Sequence, residues 1–257
     1  MKLRRREKII IVSVLLSVCL YVIQLVPVEW RFLAIGGFGV MTYMMSVFAL
    51  FDDLQLYEWI TILPFPMMYS IAVGAFYFLL PGNIFSKIVI LVIFALGMYG
   101  ILLTCNIFSV SKGRTIQLHS AAGTMALFFG LLVSMLLMNT FFSLRLPFWA
   151  NGLIAFAVHF PLIYTLSWAV NLESRIFGDA FLLASVGALL VGELTTILSF
   201  LPLAEWTSAL FIMAFFYLIM GILQSFLTGK MFRRAVGEHA LLAGLVVVAF
   251  IAMFPGK

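Results

Sequence analysis

Long uninterrupted apolar runs recur along the whole chain, and they restrict its possible folds more than any other feature. Each run is about 17 to 25 residues long and is bounded by charged residues or by segments containing Pro or Gly. A helix of that length crosses the roughly 30 Å hydrocarbon layer of a membrane. Strands of a transmembrane barrel would instead show segments of about ten alternating residues. The runs therefore predict an all-α, polytopic transmembrane helix bundle, a single integral membrane domain over residues 1–257.

The composition agrees with this class of protein. Of 257 residues, 65% are hydrophobic and only 10% are charged, and the mean hydropathy is +1.20. A soluble domain carries about 25% charged residues, so an ordinary soluble protein is excluded. The net charge of +5 does not indicate a nucleic-acid partner, because the basic residues cluster at the ends of the apolar runs.

The runs predict eight or nine crossing helices. Two prolines, Pro64 and Pro66, lie in the first turns of the third helix and predict a kink or a late start there. The last run is short, so it is either a ninth crossing or a segment on the membrane surface. The predicted helices cover about residues 9–26, 32–51, 60–80, 87–110, 121–144, 148–170, 180–201, 206–227 and 240–254.

Basic residues prefer the cytoplasmic ends of membrane helices and so predict the orientation. With nine crossings and the N-terminus inside, four basic residues lie outside, namely Arg31, Lys87, Arg145 and Lys257. The other eleven lie inside, namely Lys2, Arg4, Arg5, Arg6, Lys8, Lys112, Arg114, Arg175, Lys230, Arg233 and Arg234. We therefore expect a cell-membrane protein, in the cytoplasmic or inner membrane of a prokaryote, with a cytoplasmic N-terminus. Its basic N-terminal residues are also expected to contact anionic lipids.

His159 and Glu193 are the ionisable residues placed deep inside apolar runs. Counted from Arg175 in the connecting loop, His159 is about 16 residues back and Glu193 about 18 residues on, so their depths agree within roughly 3 Å. An unpaired charge in hydrocarbon costs at least about 2.5 kcal/mol. We therefore predict that the two side chains lie on adjacent helices inside the bundle, in direct or water-bridged reach. Pro161 frees a backbone carbonyl near Ala157, which places polar backbone close to the imidazole.

A stripe of small residues supports an inward direction for Glu193. Small residues at intervals of four allow another helix to pack closely, and Glu193 flanks this stripe. The alternative is that His159 bonds a neighbouring Ser or Thr while a protonated Glu193 bonds a backbone carbonyl. The stripe consists of Ala180, Ala184, Ala188, Gly192 and Thr196.

Other polar residues are weaker candidates. Asn106, Asn151 and Thr196 are secondary candidates for binding a substrate or a proton. Asp52 and Asp53, together with nearby Glu58, carry the hard oxygen ligands that a divalent cation prefers. A hydrated interfacial turn is the simpler explanation of this acidic segment, so no metal and no cofactor is predicted.

The sequence leaves two functions open. It contains no Gly-rich phosphate loop, no His-Glu-x-x-His motif, no Gly-x-Ser-x-Gly elbow and no Cys-x-x-Cys pair, so an intramembrane enzyme is disfavoured. The first hypothesis is a small transporter or permease-like protein in which His159 and Glu193 bind or relay a proton or cation. The second is a non-catalytic membrane component that binds a partner protein or lipid. A hydrated cavity that reaches Glu193 would favour transport.

Overall fold

The structure, a computed structural model, describes residues 4–51, 54–79, 84–110, 116–172, 176–229 and 233–253. Within these ranges it contains helices and turns and no strand, which confirms the all-α bundle. A short 3₁₀ turn, Val28–Trp30, precedes α2. The α-helices are α1 Arg5–Ile23, α2 Arg31–Leu50, α3 Glu58–Thr61, α4 Pro64–Tyr77, α5 Ile84–Val110, α6 Ile116–Ser143, α7 Phe148–Asn171, α8 Asp179–Leu198, α9 Glu205–Leu227 and α10 Arg233–Met253.

The described ranges contain seven helical segments long and apolar enough to cross a membrane, so the protein is a multi-pass membrane protein. This number is slightly lower than the predicted eight or nine. The first turn of α1 carries Arg5, Arg6, Glu7 and Lys8, which shortens its apolar part. The apolar part of α10, Ala240–Ala249, is also short. The seven segments are Val28–Leu50, Glu58–Tyr77, Ile84–Val110, Leu118–Ser143, Phe148–Asn171, Asp179–Leu198 and Glu205–Leu227.

The third predicted helix is interrupted near its start, as its prolines predict. The short helix α3 ends at Thr61, and α4 begins at Pro64. Proline suits a first helical position, because the backbone N–H that it lacks would have no partner there. The two helices together still form one segment of membrane-crossing length.

The chain divides into two compact units, residues 1–129 and 130–257. In the first unit, α1 packs on α2 and α5, and α4 packs on α2 and α5. The centre of this unit is aromatic: the ring of Tyr69 stacks on that of Phe94 with centroids 5.5 Å apart and meets Phe129 edge-on at 5.7 Å. The prediction of a single membrane domain stays a prediction.

The second unit holds the end of α6 and helices α7 to α10, and its most extensive helix contact joins α7 to α8. Small residues make this contact possible. A Cβ added at Gly192 would lie 3.0 Å from the backbone oxygen of Gly152, an atom that cannot easily move aside. Ala184 and Ala188 are fully buried. The predicted small-residue stripe on α8 is therefore confirmed as a packing surface.

Candidate functional site

His159 lies in the core of the second unit. The side chain has no exposed surface, and the ring meets Phe216 edge-on with centroids 5.2 Å apart. Its Nδ1 lies 2.8 Å from the carbonyl oxygen of Ala155, and its Nε2 lies 2.8 Å from Oγ of Ser134 on α6. A carbonyl oxygen only accepts hydrogen bonds, so Nδ1 carries the proton. In the neutral ring, Nε2 then accepts a hydrogen bond from Ser134.

The histidine bonds a backbone carbonyl other than the one that Pro161 frees. Pro161 lies inside α7 and removes the hydrogen bond that the carbonyl of Ala157 would receive. The imidazole nevertheless bonds Ala155, four residues before it on the same helix. The imidazole thus has polar backbone beside it, but its hydrogen-bond partner is Ala155 and not the carbonyl that Pro161 frees.

Glu193 does not face the interior. It lies next to the buried Gly192, yet its side chain is exposed, so the predicted inward direction is wrong. It shares an exposed surface of α8 with five apolar side chains, and we call this surface the Glu193 face. Glu193 has no hydrogen-bond or ion-pair partner in the part of the chain that the structure describes. The apolar members of the face are Leu182, Val186, Leu189, Leu190 and Ile197, which are 42–66% exposed.

The structure therefore separates the two main candidates. His159 and Glu193 lie on the packed pair α7 and α8, as predicted. Both ring nitrogens of His159 are taken by Ser134 and Ala155, and Glu193 makes no bond to the ring. The alternative of a histidine bonded to a neighbouring serine is the arrangement found.

A cavity of about 370 Å³ lies at one end of the second unit, and we call it the end cavity. The end of α6, the start of α7, the end of α8 and the start of α9 meet there. The walls carry a basic residue, an acidic residue and three uncharged polar residues, namely Arg145, Glu205, Asn151, Ser199 and Ser208. The cavity thus combines both signs of charge with neutral hydrogen-bonding groups.

Asn151, a secondary candidate, is part of this wall. It is only 4% exposed, and its Nδ2 donates to the carbonyl of Leu146 at 3.3 Å and to Oγ of Ser199 at 3.1 Å. Since the Leu146 carbonyl can only accept, this contact fixes the orientation of the amide. The Oδ1 atom is buried without a hydrogen-bond partner, which is an uncommon and costly state for a polar atom.

Arg145 and Glu205 were not predicted as site residues. Arg145 is exposed and Glu205 is half-buried, and neither forms an ion pair within the described ranges. One sequence signal could have found them. Alternating crossings bring the α6–α7 and α8–α9 connections to the same side of the membrane, and each connection contributes one of these two charges.

Asn106 and Thr196, the remaining candidates that the structure describes, form no common site. Asn106 is half-buried on α5 and makes no hydrogen bond among the described residues. Thr196 donates to the carbonyl of Gly192 at 2.9 Å and packs against Gly152, so it belongs to the α7–α8 contact. Asp52 and Asp53 lie outside the described residues. Among the residues that were described, no cluster of three or more His, Cys, Asp or Glu could hold a metal ion.

Glu58 differs from the expected hydrated turn. Its side chain is completely buried in the first unit. Its Oε2 accepts a hydrogen bond from Oγ of Ser109 at 2.8 Å and one from the backbone N–H of Gln55 at 3.0 Å. The sequence offers no signal for this burial, because Ser109 lies 51 residues further along the chain.

Comparison with known proteins adds a family. A family model described as "Protein of unknown function (DUF5656)" matches residues 48–253. No curated protein and no solved structure matches the chain. The matched region contains His159, Glu193 and the whole end cavity, but the description names no activity, so functional inference rests on the geometry above.

Proposed function

We propose that this chain, which belongs to the DUF5656 family of proteins of unknown function, is a non-catalytic membrane protein that binds a partner membrane protein through the Glu193 face. The observation that carries this proposal is the exposed, unpartnered carboxyl group of Glu193 on an otherwise apolar helix surface. A charged or polar group in contact with lipid is costly, and such groups usually meet a partner.

The position of Glu193 makes escape to the membrane surface difficult. It lies five residues before the end of α8 at Leu198, which is about 7.5 Å along the helix axis. The Cα–Cβ bonds of an α-helix tilt toward its N-terminus. The side chain of Glu193 therefore starts out toward the middle of α8 and away from the nearer end.

Charge complementarity indicates the chemistry of the partner. A carboxylate is best satisfied by a basic or amide side chain at the same depth. In the helices that the structure describes, every Lys and Arg falls within the first four residues of its helix. A second copy of this chain would therefore offer no basic side chain at mid-helix depth. It does offer amide side chains within its helices, such as the half-buried Asn106. We therefore assign the face to a transmembrane helix of a different protein that carries Lys or Arg, the stronger partners of a carboxylate, within its apolar run.

Photo-crosslinking in the native host membrane tests this assignment. A benzophenone amino acid at Leu190, one turn from Glu193, should link the chain to a different membrane protein whose linked segment contains such a residue. Glu193→Leu should lower the yield about fivefold, the change that about 1 kcal/mol produces. Glu193→Gln should keep most of the yield, because its amide still accepts a hydrogen bond.

The matched control is the same probe at Leu153, which is 62% exposed on α7 and lies outside the Glu193 face. It should not give the same product. A product made of two copies of this chain would show that the face is a self-association surface. Equal yields from the parent chain and from Glu193→Leu would show that the carboxyl group has no role in docking.

Transport is a second candidate function, because the end cavity offers a polar space for a small molecule, although neither His159 nor Glu193 lines it. The cavity is built from the ends of α7 and α8, the same helices that carry His159 and Glu193. A proton relay would require both residues to become hydrated during a cycle. Proteoliposomes with an entrapped pH dye would report such flux, and Glu193→Gln and His159→Gln should each abolish it. Unchanged proton flux in both variants would exclude a proton relay through His159 and Glu193.

The basic residues before and at the start of α1 are proposed to bind anionic lipids. Each Lys or Arg near a negatively charged membrane surface contributes about 1 kcal/mol. This contact would anchor the N-terminal end of α1 at the cytoplasmic surface and does not depend on the Glu193 face.

A further inference from the structure

We propose that the end cavity binds a small zwitterion, a molecule that carries a primary ammonium group and an oxyanion such as a phosphate diester or a carboxylate. Two sources supply this chemistry: the headgroup of an aminophospholipid and a free amino acid. The ammonium group is assigned to Glu205 and the oxyanion to Arg145. This site is separate from the Glu193 face and does not depend on the partner proposed for it.

The end cavity carries side chains of both charges. Arg145 and Glu205 line the same space but form no ion pair with each other in the described structure. A ligand with a single charge would be attracted by one of these side chains and repelled by the other. A molecule with both charges matches both, and charge-assisted hydrogen bonds to guanidinium and carboxylate groups are the stronger kind.

Uncharged groups in the wall favour an ammonium group that can donate hydrogen bonds. Ser208 is only 2% exposed, and its hydroxyl makes no hydrogen bond to any residue described. Asn151 contributes a buried Oδ1 that also lacks a donor. A primary ammonium has three N–H donors, whereas a quaternary ammonium has none. The cavity should therefore discriminate against a choline-type group.

The size and position of the cavity suit such a ligand. Its volume of about 370 Å³ lies in the lower part of the range that small-molecule sites occupy. Trp149 and Trp206 lie at the starts of α7 and α9 and are 59% and 54% exposed. Tryptophan is enriched at the level of lipid headgroups. The cavity is therefore placed where both a headgroup and a dissolved zwitterion can enter.

The backbone of Arg145 allows its side chain to be removed without strain. Its φ of 50° lies in the left-handed region, which side chains other than glycine adopt at a cost. Glycine would fit this turn without strain, yet the chain has an arginine there. The substitution Arg145→Gly therefore removes the guanidinium without damaging the turn.

Titration calorimetry on the purified full chain provides the first measurement. Glycerophosphoethanolamine and L-alanine are the two soluble probes, and glycerophosphocholine is the control that lacks N–H donors. Native mass spectrometry of the protein released from nanodiscs containing equal phosphatidylethanolamine and phosphatidylcholine shows which lipid stays bound. Retained phosphatidylethanolamine with glycerophosphoethanolamine binding supports the lipid source. L-alanine binding without a retained lipid supports the free amino acid.

Three variants test the assignment of the charges. Arg145→Gly and Glu205→Gln should each raise the Kd about 10- to 100-fold, as expected for the loss of one charged hydrogen-bonding partner. The control is Leu172→Gly, because Leu172 also has a φ of 50° but lies at the far end of α7. It should leave the Kd unchanged. The thermal unfolding midpoint of Arg145→Gly should not fall, which separates lost binding from lost folding.

The proposal is overturned by any of three results. One is the absence of binding for both soluble probes up to about 10 mM together with no retained phosphatidylethanolamine. The second is binding that Arg145→Gly and Glu205→Gln leave unchanged. The third is equal affinity for the ethanolamine and choline compounds, which would show that the N–H donors are not recognised.

Discussion

At the scale of single residues, His159 acts as a buried polar link between α6 and α7 within the second unit. Its two nitrogens connect the Ser134 hydroxyl to the Ala155 carbonyl, each at 2.8 Å. Ser134 and His159 thereby avoid the cost of a buried polar group without a hydrogen bond. This satisfied arrangement explains how an imidazole can lie in the core without an acidic neighbour.

A double-mutant cycle should measure this link. Ser134→Ala leaves Nε2 of His159 without a partner and should lower the free energy of unfolding by about 0.5 to 2 kcal/mol. The double variant Ser134→Ala/His159→Leu should lose less free energy of unfolding than the two single variants lose together. No polar side-chain atom of the pair then remains unpaired. The measurement is unfolding of the detergent-solubilised protein. Strict additivity would show that the two side chains do not interact.

At the scale of helices, the contact between α7 and α8 depends on small side chains. Ala188 is fully buried, and Gly192 and Gly152 bring the two backbones together. Membrane helices gain stability from such close packing, because lipid gives them no hydrophobic driving force to associate. The same close packing turns the neighbouring Glu193 away from α7.

Ala188→Leu should therefore overpack the α7–α8 contact and destabilise the protein by about 1 to 3 kcal/mol. The matched control is Val186→Leu on the same helix, since Val186 is 52% exposed and tolerates a larger side chain. Thermal unfolding and expression level report the difference. If Ala188→Leu is as stable as the control, the small-residue stripe is not a packing surface in the membrane.

At the scale of the whole molecule, the distribution of basic residues predicts how the chain crosses the membrane. The N-terminus is expected in the cytoplasm, since eleven of the fifteen Lys and Arg residues fall on that side in the nine-crossing arrangement. Residues 81–86 and 111–119 lie at the two ends of α5 and should face opposite sides; both ranges include residues outside those that the structure describes.

Cysteine labelling in intact cells tests this topology. In a chain with Cys19 and Cys105 replaced by Ala, a single Cys within residues 81–86 should react with an impermeant reagent. A single Cys within residues 111–119 should react only after the membrane is permeabilised. The opposite pattern would invert the orientation, and a C-terminal tag labelled in the same way would distinguish eight from nine crossings.

The class of protein, the approximate helix boundaries and the small-residue stripe of α8 could all be predicted from the amino-acid sequence. These features depend on the composition of about 20 consecutive residues, because a helix that crosses the hydrocarbon layer must be apolar over that length. The matched depth of His159 and Glu193 stays a prediction from a rise of about 1.5 Å per residue, since Gly192, next to Glu193, packs against Gly152 and Phe156 of α7.

The direction in which each side chain faces depends on how the helices pack, which the sequence did not reveal. Neighbouring residues on a helix differ in direction by about 100°, so buried Gly192 and exposed Glu193 have almost the same depth but different surroundings. Apolar residues suit both lipid and the protein interior, so hydrophobic periodicity does not reveal the rotation of a membrane helix. The partners of polar groups also come from distant parts of the chain. Ser134 reaches His159 across 25 residues, and the end cavity joins Arg145 to Glu205, because helix packing brings them together.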